Sequence, residues 1–500
     1  MKRRNFRAVC AILVILMLVP FAFSCGKGGD DTTTPPVIEN IPVDEEEMLV
    51  IPDDHKYDGE TFAVFSAGNQ VYNDFAFTSE DSAILAQAQY KRKELMHQEY
   101  DIEIELEMEV NKSSYGKGPG YQKFSKQVMS DDIAFHLGLI AGYDTATLAA
   151  EGYLYDINSI PWVETSKSWW DQNANNDLTI NGMLFFTNGT LTCAYSESTF
   201  VIYMNNTLAK TAIPDTDIYG IVKDGKWTID KLSEFSRTVS EDLNGNGTIE
   251  YTDRFGLYVW DDSVMGMMGA VGTKVATVGE DGTIELTLYN DNSLSMFTKF
   301  TDIAYSEYGL TYQRYNSMGF SVVQAFQEDK GLFWATSNTN TPKIRDMEAS
   351  FGILPYPKLS EEQSRYYSTI APYNSQFLCV PFMTDPEVIE YVGVIVESLA
   401  HYGKTMTWPA CYEQTLKGAF ARDEGTMDML DIIYNNYVYD IGYYYQIGYY
   451  NDGLMNLIRG KLTTFNSMYE TSRATAQNKL DLINENYREV YSDWQEQKAQ

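Results

Sequence analysis

The sequence predicts an α/β fold. Three observations carry that reading. A strand, a helix and a second strand follow one another within residues 61–110. Short apolar strands alternate with amphipathic helices again at 200–204, 228–239 and 255–260. The 500 residues are 44% hydrophobic and 14% aromatic, enough to fill more than one core and unlike a disordered chain.

The elements follow in order. Lys2, Arg3, Arg4 and Arg7 precede an apolar run from Ala8 to Phe23, broken only by Pro20. A basic start and a short apolar run are the marks of a secretory leader, and the run is short for a membrane span. Ser24-Cys25-Gly26 follows, with Ala22 three before the cysteine where Leu is usual. Cys25 is therefore read as a lipidation site, with 1–25 as a lipoprotein signal peptide; a plain cleaved leader is the alternative. Residues 26–58 carry Gly, Thr, Pro and an acidic run, Asp44–Glu47, without apolar periodicity, and read as a flexible tether. These features predict a chain anchored by lipid at the extracellular face of the cell membrane.

Thr61–Ala67 holds Phe62, Ala63, Val64 and Phe65 in a continuous run, which suits a strand buried on both faces. Thr78-Ser79-Glu80-Asp81 supplies cap chemistry for a helix near 81–98. Asp101–Val110 alternates Ile102, Ile104, Leu106, Met108 and Val110 with Glu103, Glu105, Glu107 and Glu109, the pattern of a half-exposed strand. Together they predict a parallel unit with a right-handed crossover. Phe135–Ile140 is a third strand, with a loop expected at Gly142-Tyr143-Asp144. Ligands sit beyond the carboxyl ends of such strands, which makes Ser66–Gly68 and Tyr143-Asp144 cleft candidates. Later come the strand Phe200–Met204, a helix capped by Thr228, the strands Phe255–Trp260, Phe351–Leu354 and Phe377–Val380, a helix over Pro386–Leu399 and a polar helix near 474–497. No internal repeat is visible.

Charge and rare residues exclude several functions. There are 37 Lys+Arg against 70 Asp+Glu, a net charge of −33. Such a chain repels phosphate backbones, so no nucleic acid is expected. Loss of Lys2, Arg3, Arg4 and Arg7 with the leader makes the mature chain more acidic still. The 4 His, at 55, 97, 136 and 401, leave little room for a histidine-rich metal site. Of the 5 Cys, Cys193, Cys379 and Cys411 belong to the body, and an odd number leaves at least one unpaired thiol or no disulfide at all.

One metal-type motif stands out. Asp242, Asn244 and Asn246 occupy positions 1, 3 and 5 of a calcium-loop pattern, and Gly247 stands where the chain must turn. Thr248 would offer a carbonyl, Ile249 an anchor, Glu250 a direct or water-borne ligand, and Asp253 closes the loop. Position 12 is Asp rather than Glu. A single loop between a helix and a strand suits a structural Ca2+ site rather than a sensor; an ion-free Asn-Gly turn is the alternative.

Several segments, in order, resemble a known family. They are Ala83–Asp101, Gly152–Asp156, Ser168–Asp171 with Leu178–Gly182, Phe200–Leu208 (with Asn206 where Lys is common), Trp227–Asp230, Phe351–Lys358, Pro409–Glu413 and Arg422-Asp423-Glu424. Across residues 57–470 the chain resembles the extracellular solute-binding proteins of family 1, the lipoprotein receptors of sugar ABC importers with the maltose-binding-protein type of fold. The resemblance implies a two-lobe periplasmic-binding-protein type II fold with an interlobe hinge and ligand cleft. The N-lobe would span 59–193 and 333–402, the C-lobe 200–330 and 404–480, and 481–500 would be a C-terminal helix. The chain would cross at Ala194–Thr199 and return at Phe333–Ser337. It further implies a monomer that binds a carbohydrate or other small solute, closes, and meets ABC permease subunits, without catalysis.

A sugar needs aromatic planes for its ring faces and carboxylates or amides for its hydroxyls. At the places the family's fold would put the cleft stand Tyr143 and Asp144, Tyr195 and Glu197, Trp260 and Asp261 (with Asp262 beside them), Trp334, Tyr373, Trp408 and Tyr412. Core packing is the alternative for each ring. The tyrosine-rich stretch 434–450, and Trp169 and Trp170, are read as packing. A secreted carbohydrate-active enzyme, or an adhesin uncoupled from transport, stays open as the other function.

Overall fold

The computed structural model describes residues 48–52, 55–70, 74–112, 115–194, 198–248, 250–319, 321–344, 350–413 and 425–498. Cys25, most of the tether and the segment Arg422-Asp423-Glu424 lie outside the described residues. Residues 49–500 form one unit containing two five-stranded sheets.

The first sheet grows from the predicted parallel unit. Strand β1 (Glu60–Gly68) lies between β2 (Ile102–Val110) and β3 (Leu137–Ala141), parallel to both, with Phe62 opposite Ile104 and Val64 opposite Leu137. Phe62, Val64 and Phe65 are wholly buried, as their unbroken run requires. β2 is an edge strand. Its alternation buries Ile102 and Ile104, but Met108 and Val110 are 44% and 61% exposed, because the strand runs on past the core. Lys123 pairs with Glu107 and Glu109 and stands over the Phe65 ring, shielding this end of the sheet.

Two local expectations are corrected. The first helix is Ile84–Tyr100, and Ala83 at its start gives no side-chain cap. Thr78 and Asp81 instead close a turn ahead of it, with the Thr78 N–H donating to Asp81 Oδ2 at 2.7 Å. Gly142, Tyr143 and Asp144 are not a loop. They open the helix Gly142–Ala150 directly after β3, with the carboxylate of Asp144 in its first turn.

The second sheet has five strands, in the order Phe351–Leu354, Phe200–Asn205, Gly331–Ser337, Phe255–Val259 and Gly309–Thr311. Strand β4 (Phe186–Thr187) closes the far side of the first sheet, and β5 (Phe200–Asn205) begins the second. Next come β6 (Phe255–Val259), the hairpin of β7 (Ala276–Val278) with β8 (Ile284–Leu286), and β9 (Gly309–Thr311). β10 (Gly331–Ser337) is buried throughout and pairs antiparallel with β5 and parallel with β6. β11 (Phe351–Leu354) pairs with the other side of β5.

This topology moves a lobe boundary. Residues 333–354 were expected in the first lobe, yet β10 and β11 belong to the second sheet. Lys358 still bridges Thr228. The return crossing comes later, where β12 (Ser368–Thr369) pairs with β14 (Tyr437–Val438) and Ile370 bridges Thr199. β13 (Gln376–Cys379) then re-enters the first sheet between β3 and β4.

The helix Pro386–Tyr402, capped by Asp385, passes through a π-turn at Gly403–Thr407 and continues to 413. Residues 404–413 were expected in the second lobe. They pack on the first, where the buried Arg92 guanidinium donates to Leu191 O at 2.7 Å and to Leu399 O and Thr407 Oγ1 at 3.4 Å. A Cβ at Gly403 would lie 2.1 Å from Thr190 O, so the approach needs glycine. The last helix is one element, Phe465–Lys498, and buries Tyr469, Ala476, Leu480, Ile483 and Tyr487 at helical spacing. The tyrosines at 439, 443, 444, 445 and 450 are buried, in keeping with packing, while Tyr449 is exposed. Cys193, Cys379 and Cys411 are all buried thiols. No helix among the described residues is long and apolar enough to cross a membrane.

Candidate functional site

A cleft of about 620 Å³ lies where the strand ends of the two sheets face each other. On the first-lobe wall stand Asn69 and Gln70, just beyond β1, and Lys112, just beyond β2. Tyr373 and Asn374, leading into β13, complete that wall. On the second-lobe wall Trp260 and Asp262 follow β6, and Tyr312, Tyr315 and Asn316 follow β9. Trp334, Thr336 and Ser337 come from β10, and Asn340 and Lys343 from the turns after it. β1, β2, β6 and β9 each deliver these residues from a carboxyl end, as parallel sheets do.

The aromatic residues form two groups. On the second-lobe wall Trp260 is 37% exposed and lies 4.5 Å from Tyr312, which meets Tyr315 edge-on at 5.3 Å. On the first-lobe wall Tyr373 stacks on Tyr115 at 4.9 Å, and Tyr115 on Tyr143 at 5.7 Å. The Tyr373 hydroxyl donates to Lys112 O at 3.1 Å, tying two cleft residues together.

The sequence-predicted residues divide accordingly. Trp260, Trp334 and Tyr373 line the cleft. Asp261 does not: it is buried and held by Arg459 Nε at 2.7 Å and by Gln313 Nε2 at 2.9 Å. Its neighbour Asp262 is the acid at the cleft, and burial, with the Asp261 charge beside it, pushes its carboxyl up to about 6. Tyr143 is buried behind Tyr115, its hydroxyl accepting from Asn451 Nδ2 at 3.3 Å. Asp144 is wholly buried, and its Oδ1 accepts the N–H groups of Gly116 at 2.8 Å and Gly118 at 3.0 Å. Both therefore set the position of the Tyr115 loop instead of forming the cleft wall. Trp408 and Tyr412 lie elsewhere, packed against Tyr434, with the Tyr412 hydroxyl donating to Asp431 at 2.8 Å. Tyr195 and Glu197 lie outside the described residues. Sequence reasoning missed Asn69, Gln70, Lys112, Tyr312, Tyr315, Asn316, Asn340 and Lys343. The strand-end rule applied to β1 and β2 points to the first three.

The calcium-like loop is held by its own side chains. Asp242 accepts the N–H groups of Gly245 at 2.8 Å and Gly247 at 2.7 Å, and these amides, Gly247 foremost, draw its carboxyl below the usual range. Asn246 Oδ1 accepts the Thr248 N–H at 2.6 Å. Glu250 Oε1 accepts from Asn244, and from Asn246 Nδ2 and Thr252 Oγ1 at 3.0 Å each. Asp253 is buried; its Oδ2 accepts the Glu250 N–H at 2.9 Å, while Oδ1 has no partner among the described residues. Among the described residues no three Asp, Glu, His or Cys side chains gather closely enough to hold a metal by themselves. The donor set is nevertheless all oxygen, and the orphaned Asp253 Oδ1 is an acceptor in want of a cation or donor, so the residues fit a hard ion.

Neither a protein-family model nor a curated protein matches the sequence. Solved structures do match. UgpB from Mycobacterium tuberculosis, in complex with glycerophosphocholine, superposes with a TM-score of 0.55 at 13% identity, over 84% of this chain and 99% of its own. A cyclic α-maltosyl-1,6-maltose binding protein from Arthrobacter globiformis gives 0.55 at 11%, over 84% and 99%. The ABC substrate-binding protein Lmo0181 from Listeria monocytogenes, in complex with cycloalternan, gives 0.51 at 11%, over 86% and 99%. The chain thus has the two-lobe fold of the maltose-binding type that the sequence resemblance implied.

Proposed function

We propose that the chain is an extracellular solute-binding receptor, holding a sugar or oligosaccharide between its lobes and delivering it to an ABC importer. The observation that carries this is the cleft itself. Trp260 on one wall and Tyr373 on the other offer ring planes, with Asn69, Asn340 and Asn374 among them for hydroxyls. Structures of the same fold hold cycloalternan and glycerophosphocholine. A titration of oligosaccharides followed by calorimetry tests it. Saturable binding without product, weakened by Trp260→Ala by roughly tenfold or more, is the expected result. Turnover of the sugar would favour the carbohydrate-active enzyme instead.

The leader read at Lys2–Cys25 supports attachment by lipid at Cys25, which places the receptor on the outer face of the membrane. Cys25→Ala is expected to release it into the medium; a variant retained on cells as before would refute the anchor. The loop Asp242–Asp253 is proposed as a structural calcium site, with the Asp242 and Asp253 carboxylates supplying most of the negative charge.

A further inference from the structure

The cleft reverses the charge of the rest of the chain. Over the whole sequence acids outnumber Lys and Arg by 70 to 37. Among the described residues lining the cleft there are two cations, Lys112 and Lys343, and one acid, Asp262. The cations come from opposite walls, Lys112 from the end of β2 and Lys343 from the second lobe beyond β10. Among the described residues neither is drawn into an ion pair: the Lys343 ammonium donates to the neutral Asn340 Oδ1 at 2.7 Å. Asn340 in turn donates to Thr336 Oγ1 at 2.9 Å, so the lysine is tethered to the cleft wall by a chain of cleft residues. Lys112 is fastened through its carbonyl to the Tyr373 hydroxyl. Donors are also in excess nearby, since the buried indole N–H of Trp334 has no acceptor among the described residues.

A neutral sugar has no need of two ammonium groups. In a protein of net charge −33, whose field repels anions, an anionic ligand needs local cations to be held at all. Resting on the receptor reading above, we propose that the cleft takes an acidic glycan, an oligosaccharide bearing a carboxylate or sulfate, whose charged group is held by Lys112 and Lys343. The ring planes of Trp260 and Tyr373 serve the sugar faces, and the lysines select for charge.

Matched pairs test this: digalacturonate against galactobiose, and cellobiuronate against cellobiose, with a 6-sulfated disaccharide to tell a sulfate requirement from a carboxylate one. Affinity is read by calorimetry on the mature chain. The acidic member of at least one pair is expected to bind about tenfold tighter than its neutral partner, the scale of one charge-assisted contact, and to weaken as salt is raised. Lys112→Gln and Lys343→Gln should each lower affinity for the acidic member severalfold more than for its neutral partner. Both lysines are solvent-facing, so unchanged melting points of the unliganded variants certify their folds. Equal affinity within every pair, or equal loss for both members in the lysine variants, overturns the charge selection and leaves the sugar receptor standing. Binding of no member of any pair overturns both.

Discussion

Glu397 is one of the buried carboxylates that tie this protein's stability to pH. Its two oxygens accept the indole N–H groups of Trp169 at 3.0 Å and Trp170 at 2.9 Å. The two adjacent tryptophans are thereby fixed against the helix Pro386–Tyr402. Burial outweighs these two hydrogen bonds and pushes the carboxyl up to about 7. The sign follows from linkage. A pKa raised from 4.5 to about 7 means that the folded state favours the protonated form. The resulting stability is complete below pH 4.5 and is lost as pH climbs to about 7, in total on the order of a few kcal/mol. Glu397→Gln cannot ionise. It should lose stability at pH 5, where one indole N–H is left facing an amide N–H, and that deficit should shrink or reverse by pH 8. Parallel melting curves across pH 4.5–8 check this; a deficit constant with pH would refute it.

At the scale of the element, the loop 242–253 is the clearest case of sequence spelling out local geometry. The Asp, Asn and Gly spacing brings the Asp242 carboxylate onto the amides of Gly245 and Gly247 because those glycines take positive φ, 70° and 72°. Calcium should order this turn and link it to the buried Asp253, just ahead of β6. The expected outcome is a melting point that rises on addition of Ca2+ and falls on chelation, with both effects absent in Asp253→Asn. Indifference of the wild-type chain to calcium and chelator alike would leave only the ion-free turn. Other elements were legible for equally local reasons. β1 and β5 contain unbroken apolar runs, Phe62–Phe65 and Phe200–Met204, and Thr228 does cap its helix, accepting the Lys231 N–H at 3.3 Å. β9 has only three residues and no pattern of its own, so Tyr312, Tyr315 and Asn316 beyond it could not be read as cleft residues.

At the scale of the whole unit 49–500, what escaped the sequence was partnership between distant segments. Asp261 and Asp262 are indistinguishable in sequence. Arg459, far along the chain, captures one and leaves the other to the cleft. Trp408 and Tyr412 miss the cleft because the helix Pro386–Tyr402 runs on through the π-turn Gly403–Thr407 and stays packed at the buried Arg92 of the first lobe. The same long-range pairing joins the lobes. The last helix donates from Asn486 Nδ2 to Ala150 O at 2.8 Å in the first lobe, and Asn484 exchanges bonds of 2.8 and 3.0 Å with Ile284 of the β7–β8 hairpin. With cleft residues drawn from both sheets, a ligand binds only when both lobes are folded. Linkage then requires that it stabilise them together, by about 2.7 kcal/mol at a hundredfold excess over Kd. In a unit this large that is a rise of a few degrees at most. Calorimetric scans should show the ligand displacing the unfolding of both lobes upward by an amount that grows with the logarithm of its concentration. A ligand that moved one lobe's transition and left the other in place would bind to one wall alone, and the interlobe cleft would not be its site.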